Sequence, residues 1–282
     1  MKTDHTIAAA PTLMSVKASL FAEPLLQQAR LDTGESLLAH AQGTVQVLKS
    51  LDASDDLQAA IYLSAAAQYL NKPREVLAKS FGPELSNLAM EAHELMQLQR
   101  QTVQVALANP GGHGTSAQTE NIRRMLLAFS RDVRVVLLRL ASRLQTLRFM
   151  GQVRQPVPSY LAEETLSVFA PLANRLGIWQ IKWELEDLAF RAIDPERYQA
   201  IARLLEDRRD DREGLINRSC EALSEALKRA GLDAKVYGRP KHIYSIHKKM
   251  QGKALGFHQL MDLLAMRVIV PEVAQCYAAL SE

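Results

Sequence analysis

The chain has 282 residues, 48% of them hydrophobic, 23% charged and 6% aromatic, a profile that fits a globular protein of one or two domains and excludes a disordered tail or fibre. Its 34 Lys and Arg against 31 Asp and Glu give a formal charge of +3, so bulk electrostatics does not make it a nucleic-acid binder and any basic function must be local. Two isolated cysteines, Cys220 and Cys276, exclude a disulfide framework or a cysteine zinc site and are expected as ordinary buried thiols in a reducing compartment.

Met1 to Thr12 lacks the apolar run of a signal peptide. No stretch approaches the roughly 20 apolar residues that span a bilayer, so the expectation is a cytoplasmic chain with no membrane association. After an N-terminal tail (1–24), apolar residues at intervals of three and four predict an all-helical part up to Met150. Its one interruption is Asn109 to Ser116 (NPGGHGTS), an exposed Gly-rich loop in which His113 has no catalytic context. A long amphipathic helix is expected over 117–150, broken near Ser130 to Asp132. Gln155 to Ser159 (QPVPS) marks a joint, with Ser159 suited to N-capping the next helix.

Beyond Gly177, Ile181, Leu185, Leu188 and Ala192 form one apolar stripe ending at Pro195, and Trp179 and Trp183 on that helix read as packing anchors. A further helix over Arg212 to Arg229 stops at Gly231, suited to a left-handed C-cap. Ala234 to Tyr237 is short and extended, Gly238 is expected as a turn, and Pro240 as the first residue of a helix reaching Gln251. Leu263 to Val270 (LLAMRVIV) has the length and apolarity of a buried central strand, and Glu272 to Ser281 returns to helical spacing. The fold class is therefore mainly α: a helical domain over 25–154, a helical connector over 155–196, and the start of an α+β domain over 197–282. Because a stable sheet normally needs three or more strands, the chain is expected to stop inside a domain.

Between Lys235 and Lys253 lie six Lys or Arg (Lys235, Arg239, Lys241, Lys248, Lys249 and Lys253) and no Asp or Glu. On a helix starting at Pro240, Lys241, Ser245 and Lys248 share one side with Lys249 beside them, opposite Ile243, Ile246 and Met250. A cationic helix face with free N–H groups at its start suits phosphate; a solvated basic face is the alternative. Asp262, just before the apolar strand, is a candidate Mg²⁺ ligand of the kind phosphoryl transfer uses, or a simple cap.

GRPKHIYSIHKKM (Gly238 to Met250), followed by DLLAMR (Asp262 to Arg267), closely resembles the start of the synthetase domain of the RelA/SpoT family, the long bacterial enzymes of the stringent response. PLANRLGIWQIKWELEDLAFR (Pro171 to Arg191) is similar to that family's segment between domains, and DVRVVLLRLASRLQTLR (Asp132 to Arg148) to the last helix of its N-terminal HD domain. The resemblance implies a nucleotidyltransferase-like synthetase domain that transfers pyrophosphate from ATP to the 3′-hydroxyl of GTP or GDP, making (p)ppGpp and AMP. It places Arg239, Lys241 and Lys249, and more weakly Ser245, at the ATP phosphates, and Asp262 at the catalytic Mg²⁺. The family's second acidic residue and guanine-binding Tyr would lie beyond Glu282, so residues 1–282 alone are expected to lack synthetase activity. Any ribosome or tRNA contact would need a C-terminal region not in this sequence.

The resemblance also implies a hydrolase site, where a His, a His-Asp pair and a distant Asp hold Mn²⁺. His40 (in GESLLAH) matches the first ligand. Leu63 and Ser64 stand at the His-Asp pair, Ala67 and Gln68 at the acidic pair after it, and Ser142 and Gln145 replace the Asp and His of the family's LADRLHNMR. One ligand in four cannot hold a divalent ion, so no Mn²⁺ is expected, the hydrolase is expected to be inactive, and His40 is expected to be structural or partly exposed. That is the pattern of the synthesis-only, RelA-type branch, a GTP pyrophosphokinase. Two other readings remain: a non-catalytic regulatory or nucleotide-binding module, and RNA binding through residues 235–253. The second is disfavoured by the limited aromatic interleaving, Tyr237 and Tyr244.

Overall fold

The structure, a computed structural model, describes residues 13–108, 132–206, 209–253, 257 and 264–281. The expected Gly-rich loop, His113, the helical stretch 117–131 with its break, and Asp262 lie outside the described residues. The described chain forms two compact units divided between Ala192 and Ile193.

The first unit is helical: α1 (Met14–Leu26), α2 (Leu37–Lys49), α3 (Asp55–Ala66) with a short 3₁₀ turn (Ala67–Tyr69), α4 (Pro73–Phe81), α5 (Pro83–Ala108), α6 (Val133–Gln152), α7 (Ser159–Glu164), α8 (Ala170–Arg175) and α9 (Trp179–Ile193). Helix α3 is its axis. Leu57 and every residue from Ala59 to Ala66 are buried, as a helix apolar all round requires, and its alanines let α1, α2 and α5 pack closely against it. Ser54 caps it by accepting from the Leu57 N–H, with Asp55 and Asp56 in the first turn favoured by the helix dipole. Asp55 also accepts from the backbone N–H and hydroxyl of Ser15, tying α1 to α3. Helix α6 presents Val136, Leu140, Leu144 and Leu147 to the same core, and Asp132 caps it by accepting from the Arg134 N–H.

Much of the stretch expected as a connector shares this core. Phe169, Leu172, Ile181 and Leu185 are buried in one cluster with α2, α3 and α6, because the apolar stripe of α9 needs a partner. Trp183 is buried, its ring 4.6 Å from that of Trp179. The cap expected at Ser159 is corrected: Pro158 takes the N-cap position and Ser159 is the first helical residue, since the fixed φ of proline already suits a helix start. Between α7 and α8 the helix widens into a π turn, Thr165–Phe169.

The second unit holds α10 (Pro195–Glu206), α11 (Arg209–Arg229), β1 (Lys235–Pro240), α12 (Ile243–Lys253), β2 (Leu264–Ile269) and α13 (Val273–Ser281). Helix α10, missed by the stripe analysis, starts on Pro195 because proline at the first helical position costs no hydrogen bond. Gly231 ends the α11 region at φ +75°, as the C-cap expectation required. The strands β1 and β2 pair antiparallel, from Lys235 opposite Ile269 to Pro240 opposite Leu264.

Three further expectations change here. Gly238 is no turn: it lies mid-strand opposite Met266, and a Cβ there would sit 2.5 Å from Ile216 Cγ1 of α11, so the glycine allows a helix to lie flat on the sheet. Pro240 closes β1 instead of opening a helix, and α12 begins at Ile243. The strand β2 is not a buried central one, with Met266 44% and Ile269 49% exposed; among the described residues it pairs with β1 alone, and α11 packs against the pair. Cys276 is exposed and Cys220 half-buried, so the expectation of two buried thiols is corrected for both; the helix of Cys276, α13, has no buried residue.

Candidate functional site

The positions that would hold Mn²⁺ come together at the junction of α2, α3 and α6, and protein groups satisfy one another there. His40 is buried, at 8% exposure, the structural one of the two alternatives expected for it. Its Nδ1 lies 2.7 Å from Oε2 of the buried Glu35, and its Nε2 lies 2.9 Å from Ser142 Oγ. An ionised carboxylate only accepts, so Nδ1 carries the proton and donates to Glu35. In the neutral ring the lone pair on Nε2, the one a metal would need, then accepts from the Ser142 hydroxyl. Glu35 accepts a second bond, 2.6 Å, from Gln145 Nε2. That carboxamide lies directly over Gly43 of α2, where any Cβ would collide with it.

The other positions are equally closed to a metal. Leu63 is fully buried and apolar, and the Ser64 hydroxyl donates to the Ile61 carbonyl at 3.0 Å. Among the described residues no group of three or more His, Cys, Asp or Glu could hold a metal ion. The residues present do not fit Mn²⁺, because one imidazole with its lone pair engaged supplies neither the coordination number nor the charge.

The space around this cluster is a cavity of about 450 Å³ reaching from His40, Ser64 and Ser142 to Arg100, Arg139, Arg143 and Glu164. Arg139 and Arg143 stand one turn apart on α6. Arg143, 5% exposed, donates from Nη2 to Glu164 at 2.5 Å and from Nη1 to the Leu161 carbonyl and to Thr165 Oγ1, and its guanidinium sits 4.1 Å over the Phe169 ring. Thr165 Oγ1 also donates to the Leu161 carbonyl at 2.6 Å. These bonds converge where the π turn begins, the kind of interruption that widens a helix. Glu164 also accepts from Gln99 Nε2 at 2.7 Å, and Gln99 Oε1 accepts from Arg139. Arg139 Nε is buried with no partner among the described residues, a deficit worth about 1–3 kcal/mol. Burial first, then the charge of Arg143, lowers the Arg139 pKa to about 9, with Glu164 opposing and Arg100 adding to the shift; the group is still a cation at pH 7.

Sequence analysis missed Glu35, Gln99, Arg139, Arg143 and Glu164. One signal was present: arginines at i and i+4 inside the leucine-rich VLLRLASRL, on the core side of an amphipathic helix.

In the second unit, Arg239 lies in β1, Lys241 in the link that follows, and Ser245 and Lys249 one turn apart on α12. Lys241, Ser245 and Lys249 are half-buried, and the exposed Lys248 places Nζ 5.7 Å from the Tyr244 ring. Ile246 anchors the opposite side of α12, fully buried. His247 stacks on Tyr244 at 6.2 Å; burial first, then the charge of Arg197, holds its pKa below the ordinary 6.5, with Asp194 opposing. No helix among the described residues is long and apolar enough to cross a membrane.

A family profile described as "HD domain" matches residues 18–179, and one described as "Region found in RelA / SpoT proteins" matches residues 238–282. The chain is 34% identical over 273 residues to a Synechocystis protein named probable guanosine-3′,5′-bis(diphosphate) 3′-pyrophosphohydrolase, covering 96% of this chain and 34% of that one. A Haemophilus influenzae protein named guanosine-3′,5′-bis(diphosphate) 3′-pyrophosphohydrolase is 36% identical over 250 residues, 89% of this chain and 35% of its own. An Escherichia coli K12 protein named GTP pyrophosphokinase is 39% identical over 236 residues, 84% and 31%. The chain thus spans about a third of the length of the curated relatives it matches. With an HD-domain match over most of the first unit and a RelA/SpoT match opening at Gly238, the chain belongs to the RelA/SpoT family.

Proposed function

We propose that this chain is part of a GTP pyrophosphokinase, in which a catalytically silent HD unit accompanies a phosphate-binding segment of a (p)ppGpp synthetase. The observation that carries the reading is the occupation of both His40 ring nitrogens by Glu35 and Ser142. With that imidazole engaged, the first unit has no route to a metal-bound water, and its role becomes structural and regulatory toward the synthesis of (p)ppGpp in the stringent response. Relatives with either name match over comparable lengths, so the choice of synthesis over hydrolysis rests on the site residues.

In the second unit, Arg239, Lys241 and Lys249, with Ser245 beside them, hold the ATP phosphates. Their work is neutralisation of charge and alignment of the pyrophosphoryl group with the acceptor 3′-hydroxyl, since phosphoryl transfer asks the protein for positioning and electrostatics. Asp262 would hold Mg²⁺, which supplies further charge stabilisation at the phosphate oxygens when bound. Residues 1–282 bind ATP through these groups.

The test is a titration of ATP with Mg²⁺ into the chain, and into Lys241→Ala and Arg239→Ala. Binding that weakens at least tenfold in both variants is expected. Binding indifferent to both would overturn the assignment. Production of pyrophosphate from (p)ppGpp with Mn²⁺ would overturn the silent hydrolase.

A further inference from the structure

Hydroxyls inside helices commonly bond a carbonyl of the preceding turn, as Ser64 does to Ile61 and Thr146 to Ser142. The Ser142 hydroxyl instead crosses from α6 to α2, where it lies 2.9 Å from His40 Nε2. On the far side of that ring Nδ1 lies 2.7 Å from Glu35, and both residues are buried. Glu35, His40 and Ser142 are thus a carboxylate, an imidazole and a hydroxyl in series, each within hydrogen-bond reach of the next. With the proton on Nδ1 against Glu35, Nε2 turns its lone pair to the hydroxyl. That is the arrangement in which histidine serves as general base to a serine nucleophile. Gln145 donates to the other oxygen of Glu35 at 2.6 Å, so the carboxylate is held from two sides.

His40 and Ser142 both line the cavity of about 450 Å³, a volume within the range of small-molecule sites. Its wall is mixed, with Ile61, Leu138 and Met150 beside Asp32, Gln68 and Thr146, so it suits a short polar ester better than a long acyl chain. Arg139 lines the same cavity one turn before Ser142 on α6, and its buried Nε–H has no partner among the described residues. That N–H is a donor for the oxygen that gains negative charge when a hydroxyl adds to a carbonyl.

We propose that Ser142 is an activated nucleophile and that the first unit hydrolyses small carboxylic esters without a metal. Ser142 Oγ bonds to the ester carbonyl carbon while its proton passes to His40 Nε2. The bond from that carbon to the alcohol oxygen then breaks, and His40 gives the proton to the departing alcohol. Water next attacks the acyl carbon and gives a proton to His40; the bond from that carbon to Oγ breaks, and the proton returns to Oγ. The net reaction is ester plus water to acid plus alcohol. Glu35 acts through His40 as a positioning residue, fixing the tautomer and stabilising the imidazolium. The proposal rests on the reading that the His40 cluster holds no metal, and adds a chemistry that needs none.

The experiment treats the chain in EDTA with a fluorophosphonate, which phosphonylates activated serines, and locates the adduct by peptide mass spectrometry. Hydrolysis of p-nitrophenyl acetate is followed on the same samples. An adduct on Ser142 and ester hydrolysis are expected, both lost in Ser142→Ala, with labelling slowed about a hundredfold in His40→Gln. Glu35→Gln keeps the shape and removes the charge. It is expected to slow labelling without lowering the fraction folded, a change that a purely structural role would not produce, and it decides the matter if His40→Gln does not fold. No adduct at Ser142, labelling equally fast in His40→Gln, or hydrolysis unchanged in Ser142→Ala would overturn this inference and leave the proposed function standing. An adduct that Mn²⁺ blocks in the wild type would put a metal at His40 and overturn both.

Discussion

Replacing Glu164 by leucine isolates the strongest electrostatic commitment in the first unit. The carboxylate accepts from Arg143 at 2.5 Å and from Gln99 at 2.7 Å, and both ion-pair side chains are 6% exposed. Removing one partner of a buried pair leaves the other charge uncompensated, at a cost of about 3–5 kcal/mol. In a unit of this size each kcal/mol moves the melting temperature by roughly 2–4 °C, so Glu164→Leu lowers it by roughly 6–20 °C. Arg143→Met in the same chain removes the stranded cation and replaces the pair by apolar side chains, which fill the space at lower cost. The assay is thermal and urea unfolding of the wild type, both single variants and the double variant. The double variant is expected to be more stable than Glu164→Leu, and that non-additivity measures the pair. A loss under about 1 kcal/mol in Glu164→Leu, or additive losses, would refute the view that the bond is buried and mutually dependent.

Gly43→Ala is expected to push the Gln145 carboxamide off Glu35, costing about 1–3 kcal/mol through an unsatisfied carboxylate in urea unfolding; an unchanged midpoint would show that Gln145 has another place to go. Gly238→Ala forces a Cβ against Ile216 and is expected to cost the second unit about 1–3 kcal/mol as an overpacked contact, with amide exchange rising in β1; protection equal to wild type would contradict the close approach of α11. For His247 the folded pKa lies below the ordinary 6.5, so the unfolded chain binds the proton first. Its contribution to stability is therefore full above that value and declines as pH falls through it, and an NMR titration midpoint at or above 6.5 would contradict the burial seen here.

The helical half was legible because its signals are local. The stripe of α9 and the C-cap at Gly231 each follow from residues a few positions apart. The errors arise where a distant element decides. Gly238 and Pro240 read as a turn and a helix start until β2 pairs with them, since glycine beneath Ile216 and proline at a strand end obey tertiary packing. The apolarity of Leu263 to Val270 identified a strand without saying what covers it. At the site, the loss of metal ligands at Leu63, Ser64 and Ser142 was visible in the motif. That Ser142 and Glu35 between them occupy His40 was not, because Ser142 is 102 positions away in sequence.

The central claim is that His40 is committed to protein partners and holds no metal. Electron paramagnetic resonance of Mn²⁺ titrated into the chain tests it directly, comparing wild type with His40→Ala. The two are expected to leave the same free-Mn²⁺ signal at every addition. A signal diminished by the wild type and restored by His40→Ala would place a metal at His40 and contradict the account.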